Sequence, residues 1–197
     1  LALLYRYAPE TRYLETARWI VTDSDAPGGV GFMRAARQGK EFYQFGPLAN
    51  RWEILHFVQG LAELYWLTGE SEYRDTFTHV WDSLCRLDRH NTGGFSTGER
   101  AVGTPYLLPG EDRPDCPAIW QHCIETCCTV AWNALCVDML RLTGDSTVAD
   151  EIELTLYNSA QGSMHPSERW WTYNTPMRGL RLSSADQILF HAHPGGP

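Results

Sequence analysis

The sequence predicts an all-α protein built as an array of helix hairpins, and three observations carry that expectation. Apolar residues recur at three- and four-residue spacings over long stretches. Two candidate helix junctions, 75 positions apart, are nearly the same: Leu67-Thr68-Gly69-Glu70-Ser71 and Leu142-Thr143-Gly144-Asp145-Ser146. The 197 residues are 43% hydrophobic and 20% charged, the balance of a globular chain that can bury a core.

The first long segment, 48–68, places Trp52, Leu55, Val58, Leu61, Leu64 and Tyr65 on one broad apolar face. Gly69 stands where a helix stop belongs, and Ser71 can cap the next helix. That second helix, about 72–88, carries Tyr73, Phe77, Val80, Trp81 and Leu84. A third, near 124–142, carries Val130, Ala131, Ala134, Leu135, Met139 and Leu142, and a fourth near 147–160 comes after Gly144 and Asp145. Matching junctions between amphipathic helices favour hairpins in series, open as a solenoid or closed as a toroid. Residues 91–118 hold five Gly and four Pro, too long for an ordinary connector and of a length that usually serves function. Beyond residue 161, SERWWTYNTPMRGL and SADQILFHAH read as short extended segments, a short β-hairpin near the C-terminal end. The chain opens LALLYRYAPE and closes HAHPGGP. Residues 1–197 are therefore expected to be part of one domain, truncated at both ends.

Net charge is −8 with scattered basic residues, which is no nucleic-acid footprint. No apolar run approaches the ~20 residues of a membrane helix. Eight Trp suit core packing first and a sugar-binding cleft second.

The six cysteines are Cys85, Cys116, Cys123, Cys127, Cys128 and Cys136, four of them crowded between 116 and 128. Such crowding favours metal or reactive thiols over a disulfide framework. Glu125 and Cys127 cannot share a face in mid-helix, but at a helix's first turn both can face one ion. Zinc accepts thiolate sulfur and carboxylate oxygen in four-coordinate sites. Cys123 and Cys128 could complete such a set, or all of these could be small buried hydrophobes. Glu99 comes after Gly93-Gly94 and Gly98; a carboxylic acid held at a cleft wall could protonate a leaving oxygen, whereas a solvated turn Glu is the plainer reading. His56 reads as a core histidine. His90, His122, His165, His191 and His193 lie near loops, where hydroxyl recognition is open. Trp170, Trp171 and Tyr173 form either a sugar platform or the closure of the hairpin.

Taken in series, the motifs resemble a known family. Thr92-Gly93-Gly94 leads to Gly98-Glu99, then to Tyr106-Leu107-Leu108-Pro109 and Glu125-Thr126-Cys127. Leu140 to Asp145, Ala149 to Glu153, Thr155-Leu156-Tyr157-Asn158 and Thr172-Tyr173-Asn174-Thr175-Pro176 continue the match. Over roughly residues 48–180 this resembles glycoside hydrolase family 127, the β-L-arabinofuranosidase-like proteins. The resemblance implies an α/α toroid and a retaining, zinc-dependent glycosidase in which a zinc-bound cysteine attacks the anomeric carbon. It implies zinc held by Glu-x-Cys and an adjacent Cys pair, one of which is the nucleophile. Glu125 and Cys127 would then be zinc ligands and Glu99 the general acid/base, with Trp170, Trp171 and Tyr173 toward the carbohydrate. The nucleophile would lie outside this chain, leaving Cys123 and Cys128 to packing and the chain inactive alone.

This chain departs from the pattern at Asn50, where a substrate-binding His would be expected, and in the long loop before Glu125 with Asp115 and Cys116. Two other readings stand beside it: an α/α-toroid hydrolase or lyase using carboxylates such as Glu111, Asp112 or Asp115, and a non-catalytic carbohydrate-binding relative. Thiolate–zinc chemistry suits a reducing, cytoplasmic setting.

Overall fold

The computed structural model describes residues 1–45, 51–95, 123–176 and 183. Helices α1 (Ala2–Tyr7), α2 (Thr11–Asp25), α3 (Phe32–Arg37), α4 (Arg51–Thr68) and α5 (Ser71–Leu87) come first, with a 3-10 turn at Phe42–Gln44. Strand β1 (Cys123–Glu125) then runs straight into α6 (Thr126–Thr143), followed by α7 (Ser146–Leu154), a π-helical turn (Thr155–Ala160), the single turn α8 (Gln161–Ser163) and strand β2 (Asn174–Pro176).

The matching junctions fold alike, bond for bond. Thr68 Oγ1 donates to the Leu64 carbonyl at 2.8 Å and accepts from the Glu70 amide at 3.2 Å. Thr143 Oγ1 does the same with the Met139 carbonyl and the Asp145 amide, at 2.8 and 3.2 Å. Gly69 and Gly144 both take positive φ, +73° and +66°, so each ends its helix in the left-handed conformation that a side chain resists. A third junction between α1 and α2 keeps the acid-then-hydroxyl pair as Glu10-Thr11. Spacing alone does not single it out, because Pro9 replaces the glycine and α1 is only six residues long.

These junctions align the hairpins. Gln59 in α4 bonds Asp138 in α6, and Glu63 meets Arg141, pairs of nearly constant offset that make α4 and α6 parallel. Arg6, at the end of α1, reaches Glu63 at 2.7 Å, so α1 joins the same layer. Helices α2, α5 and α7 each pack as the returning arm of their hairpin. Two such layers are the arrangement of an α/α toroid. The core between them holds Leu55 and Val58 of α4, Phe77, Val80 and Leu84 of α5, and Ala131, Trp132 and Leu135 of α6. Trp132 stacks on Trp81 at 5.8 Å. Cys136 is packed in this core, accepts from the Trp81 indole N–H at 3.4 Å, and burial pushes its thiol far up. It is an inert hydrophobe.

Two expected elements differ in detail. The fourth helix keeps α geometry only to Leu154 and then widens into the π-helical turn. The extended segment near the C-terminal end is two structures. Met164 and Trp171 form an antiparallel bridge that closes a local turn, while β2 pairs antiparallel with β1, Glu125 opposite Asn174. Residues 184–193 lie outside the described residues. No helix among the described residues is long and apolar enough to cross a membrane.

Glycines at two positions predict opposite responses. Gly60, inside α4, has open space where a Cβ would go, so Gly60→Ala stabilises by about 0.5–1 kcal/mol through helix propensity. Gly144 also has open space but a positive φ, so Gly144→Ala destabilises by about 1 kcal/mol. Urea denaturation of the two variants checks both signs.

Candidate active site

The site end lies opposite the junctions, at the start of α6. Glu125 closes β1 with extended backbone (φ −88°, ψ +130°) and is the residue before the helix; Cys127 is already inside its first turn. This strand-to-helix change brings two residues of i, i+2 spacing to one point, which continuous helix would forbid. The turn is held firmly. Thr126 N–H donates to the Tyr173 carbonyl at 2.8 Å, and its hydroxyl donates to the Thr172 carbonyl at 2.7 Å. Thr129 Oγ1 reaches back to the Glu125 carbonyl at 3.1 Å and meets Ser159 Oγ at 3.2 Å.

Ligand atoms of Glu125, Cys127 and Cys128 all lie within 4.8 Å of one another, the one such group among the described residues. Glu125 is 2% exposed. The Cys128 thiol lies 3.5 Å from its Oε2 and 3.8 Å from Cys127 Sγ, so a residue expected only to pack also joins the donor group. The Cys128 thiol and the Tyr173 hydroxyl, 2.9 Å from Cys127 Sγ, hold the Cys127 thiol below its ordinary range against the opposing effect of burial. Burial and the neighbouring Cys127 push Tyr173 the other way, well up. One carboxylate and two thiols, desolvated together, are a donor set that zinc accepts.

The aromatic trio does not act as one surface. Tyr173 turns its hydroxyl to Cys127, Trp170 stacks on His165 at 4.2 Å, and Trp171 is 56% exposed. Glu99, Asn50, Glu111, Asp112, Asp115 and Cys116 lie outside the described residues. Gly93 and Gly94, ahead of Glu99 in the chain, are described, and they approach protein rather than ligand. A Cβ on Gly93 (φ +80°) would stand 2.7 Å from the Thr155 backbone, and one on Gly94 would collide with Ser159 and Ile124. Gly94 is therefore packed against Ile124, one residue from Glu125.

Pattern alone misplaces two histidines. His56 is exposed on α4, not a core residue. His90 is 3% exposed, and burial depresses its pKa to about 4, which removes it from hydroxyl recognition at the surface.

The β-L-arabinofuranosidase GH127 catalytic-domain family matches residues 1–188. The chain belongs to this family. Its fold agrees with solved structures at low identity. A GH127 β-arabinofuranosidase is 18% identical with a TM-score of 0.61, over 89% of this chain and 26% of that one. A GH127 β-L-arabinofuranosidase from Geobacillus stearothermophilus T6 is 17% identical with a TM-score of 0.66, over 90% and 30%. A third, described as a glycoside hydrolase, is 20% identical with a TM-score of 0.64, over 91% and 31%. The chain thus spans less than a third of the length of each. No curated protein sequence matches it.

His90 gives this region an acid limit. Its proton is disfavoured in the fold, so the unfolded chain binds it first as pH falls below 6.5, and stability drops until pH reaches about 4. The loss approaches about 3 kcal/mol. Unfolding free energies across this window should fall less steeply for His90→Gln than for the wild type.

Proposed function

We propose that this chain is a sector of one α/α-toroid catalytic domain in a retaining, zinc-dependent glycosidase acting on β-L-arabinofuranosides or a related sugar. The observation that carries the reading is the Glu125–Cys127–Cys128 donor group at the strand-to-helix turn, with Glu125 and Cys128 buried and Cys127 half-buried, in a chain of the GH127 family.

Glu125 and Cys127 would hold the zinc, with the Cys128 thiol close beside them. Bound there, zinc would keep its thiolate ligands deprotonated and temper their basicity. Tyr173 restrains the Cys127 sulfur from the other side. Glu99 is proposed as the general acid/base. What supports this assignment is that Gly94, packed against Ile124 beside Glu125, lies five residues ahead of Glu99 in the chain. As an acid it gives its proton to the glycosidic oxygen while a cysteine thiolate, supplied from outside this chain, displaces that oxygen at the anomeric carbon. As a carboxylate it then takes a proton from the water that releases the sugar. Trp170, Trp171 and Tyr173 remain on the carbohydrate side in this reading. The exposed Trp171 offers its ring to a neighbouring sugar unit.

Two measurements test this. Metal analysis of the complete polypeptide should find zinc, and Glu125→Gln or Cys127→Ser should weaken its retention against a chelator by about 10- to 100-fold or more. Glu99→Gln should lower kcat on an aryl β-L-arabinofuranoside by about 10²- to 10⁴-fold. Unchanged turnover in Glu99→Gln would remove it from the reaction.

A further inference from the structure

Helix α4 turns its core residues, among them Leu55, Val58, Leu61 and Ala62, to the layer behind it. The opposite stripe is Trp52, His56, Gln59, Glu63 and Trp66, spaced four, three, four and three residues apart on one helical face. This stripe is polar and wired. Arg141 pairs with Asp138 at 2.9 Å, Asp138 Oδ2 accepts from Gln59 Nε2 at 3.1 Å, and Gln59 Oε1 lies 2.7 Å from His56 Nδ1. At the junction end, Arg6 and Arg141 both lie over the Trp66 ring, 5.8 and 4.1 Å from its centre.

The wiring fixes a tautomer. Asp138, paired with Arg141, can only accept, so the Gln59 amide must present its NH₂ to Asp138 and its oxygen to His56. His56 Nδ1 must then carry the proton, which in the neutral ring leaves Nε2 as an acceptor. His56 is exposed, and Trp52 stands beside it, 38% exposed and edge-to-face at 4.4 Å. The neighbouring helix contributes Val130, 52% exposed.

The stripe leads to the donor group. From the Gln59–Asp138 contact, about 1.5 Å per residue puts His56 about 4.5 Å, Trp52 about 10.5 Å and Cys127 about 16.5 Å toward the site end along parallel helices. Cys127 also shares the Asp138 side of α6, since 11 residues are close to three whole turns. Trp52 and His56 thus occupy the approach to Cys127, on the face away from the core.

We propose that Trp52 and His56 form a sugar-binding subsite of this active site, with the indole against the apolar C–H surface of a furanose and His56 Nε2 accepting a hydrogen bond from a hydroxyl. The Asp138–Gln59 pair positions the imidazole and does not touch the sugar. This subsite rests on the glycosidase reading for its substrate class.

The test uses the complete, zinc-loaded polypeptide with an aryl β-L-arabinofuranoside for kinetics and free L-arabinose for calorimetric titration. His56→Phe keeps a ring but loses the acceptor; Trp52→Ala loses the apolar surface. Each should raise KM and the L-arabinose dissociation constant about tenfold while kcat stays nearly constant, the signature of lost uniform binding. Both side chains are exposed, so thermal midpoints should hold; if one variant folds poorly, the other carries the test. Unchanged KM and unchanged L-arabinose binding overturn the subsite and leave the glycosidase standing. A fall in kcat at constant KM also overturns it. If the wild type hydrolyses no arabinofuranoside, the glycosidase reading fails, and the titration decides alone. Saturable L-arabinose binding weakened in both variants supports the subsite, and no binding overturns it.

Discussion

Everything at the site end depends on Thr126. Its amide and hydroxyl are both committed to the backbone of residues 172–173, so helix α6 can start only where the segment leading into β2 lies alongside. That single start point decides that Glu125 is still strand and Cys127 already helix, and hence that a carboxylate and a thiol of i, i+2 spacing converge. It also delivers Tyr173, the residue whose carbonyl receives the Thr126 amide, with its hydroxyl on Cys127. Burying a carboxylate is costly unless it is compensated. A site that depended on a fraying helix end would lose the convergence that makes such compensation possible. Here a second strand, the π-helical turn and the Gly93-Gly94 contact close around it.

The two layers divide the work. Helix α5 is sharply two-faced and covers the core, whereas α4 and α6 are apolar on one side and carry functional or wiring residues on the other. In α4 the change comes within one turn: Leu55 is fully buried and His56 is exposed. The ion pairs along this face, Arg6–Glu63 and Arg141–Glu63, are partly shielded and tie α1, α4 and α6 together away from the hydrophobic core. They fix the register of the helices that carry the chemistry.

Much of this is legible in the sequence, for identifiable reasons. The helix pairs 51–68 with 71–87 and 126–143 with 146–154 can be read from periodicity and from Gly69 and Gly144, because those signals are local. The convergence of Glu125 and Cys127 at a first turn can also be argued from spacing. The hidden part is non-local. Nothing near Tyr173 says that its partner is 46 residues upstream, and Cys128 enters the donor group only through the rotation set by Thr126. His56 sits at the margin of an apolar stripe, and only the position of the second layer shows which side it takes. The Gly93-Gly94 pair reads as room for a ligand, whereas the π-helical turn fills that space.

The two ends of the hairpins are joined very differently. At one end the turns are two residues long, each stitched by a threonine and closed by a left-handed glycine in α4–α5 and α6–α7. At the other end, 35 residues (88–122) separate α5 from β1. A stitched two-residue turn tolerates almost no change in length, because an inserted residue breaks three hydrogen bonds at once. A long connection tolerates many. Length change in such a protein is therefore channelled: the stitched hairpin ends keep the helices in step, while the opposite rim can vary between its fixed points at Gly93-Gly94 and Thr126. New specificities can be tried on that rim without reopening the question of how the chain folds.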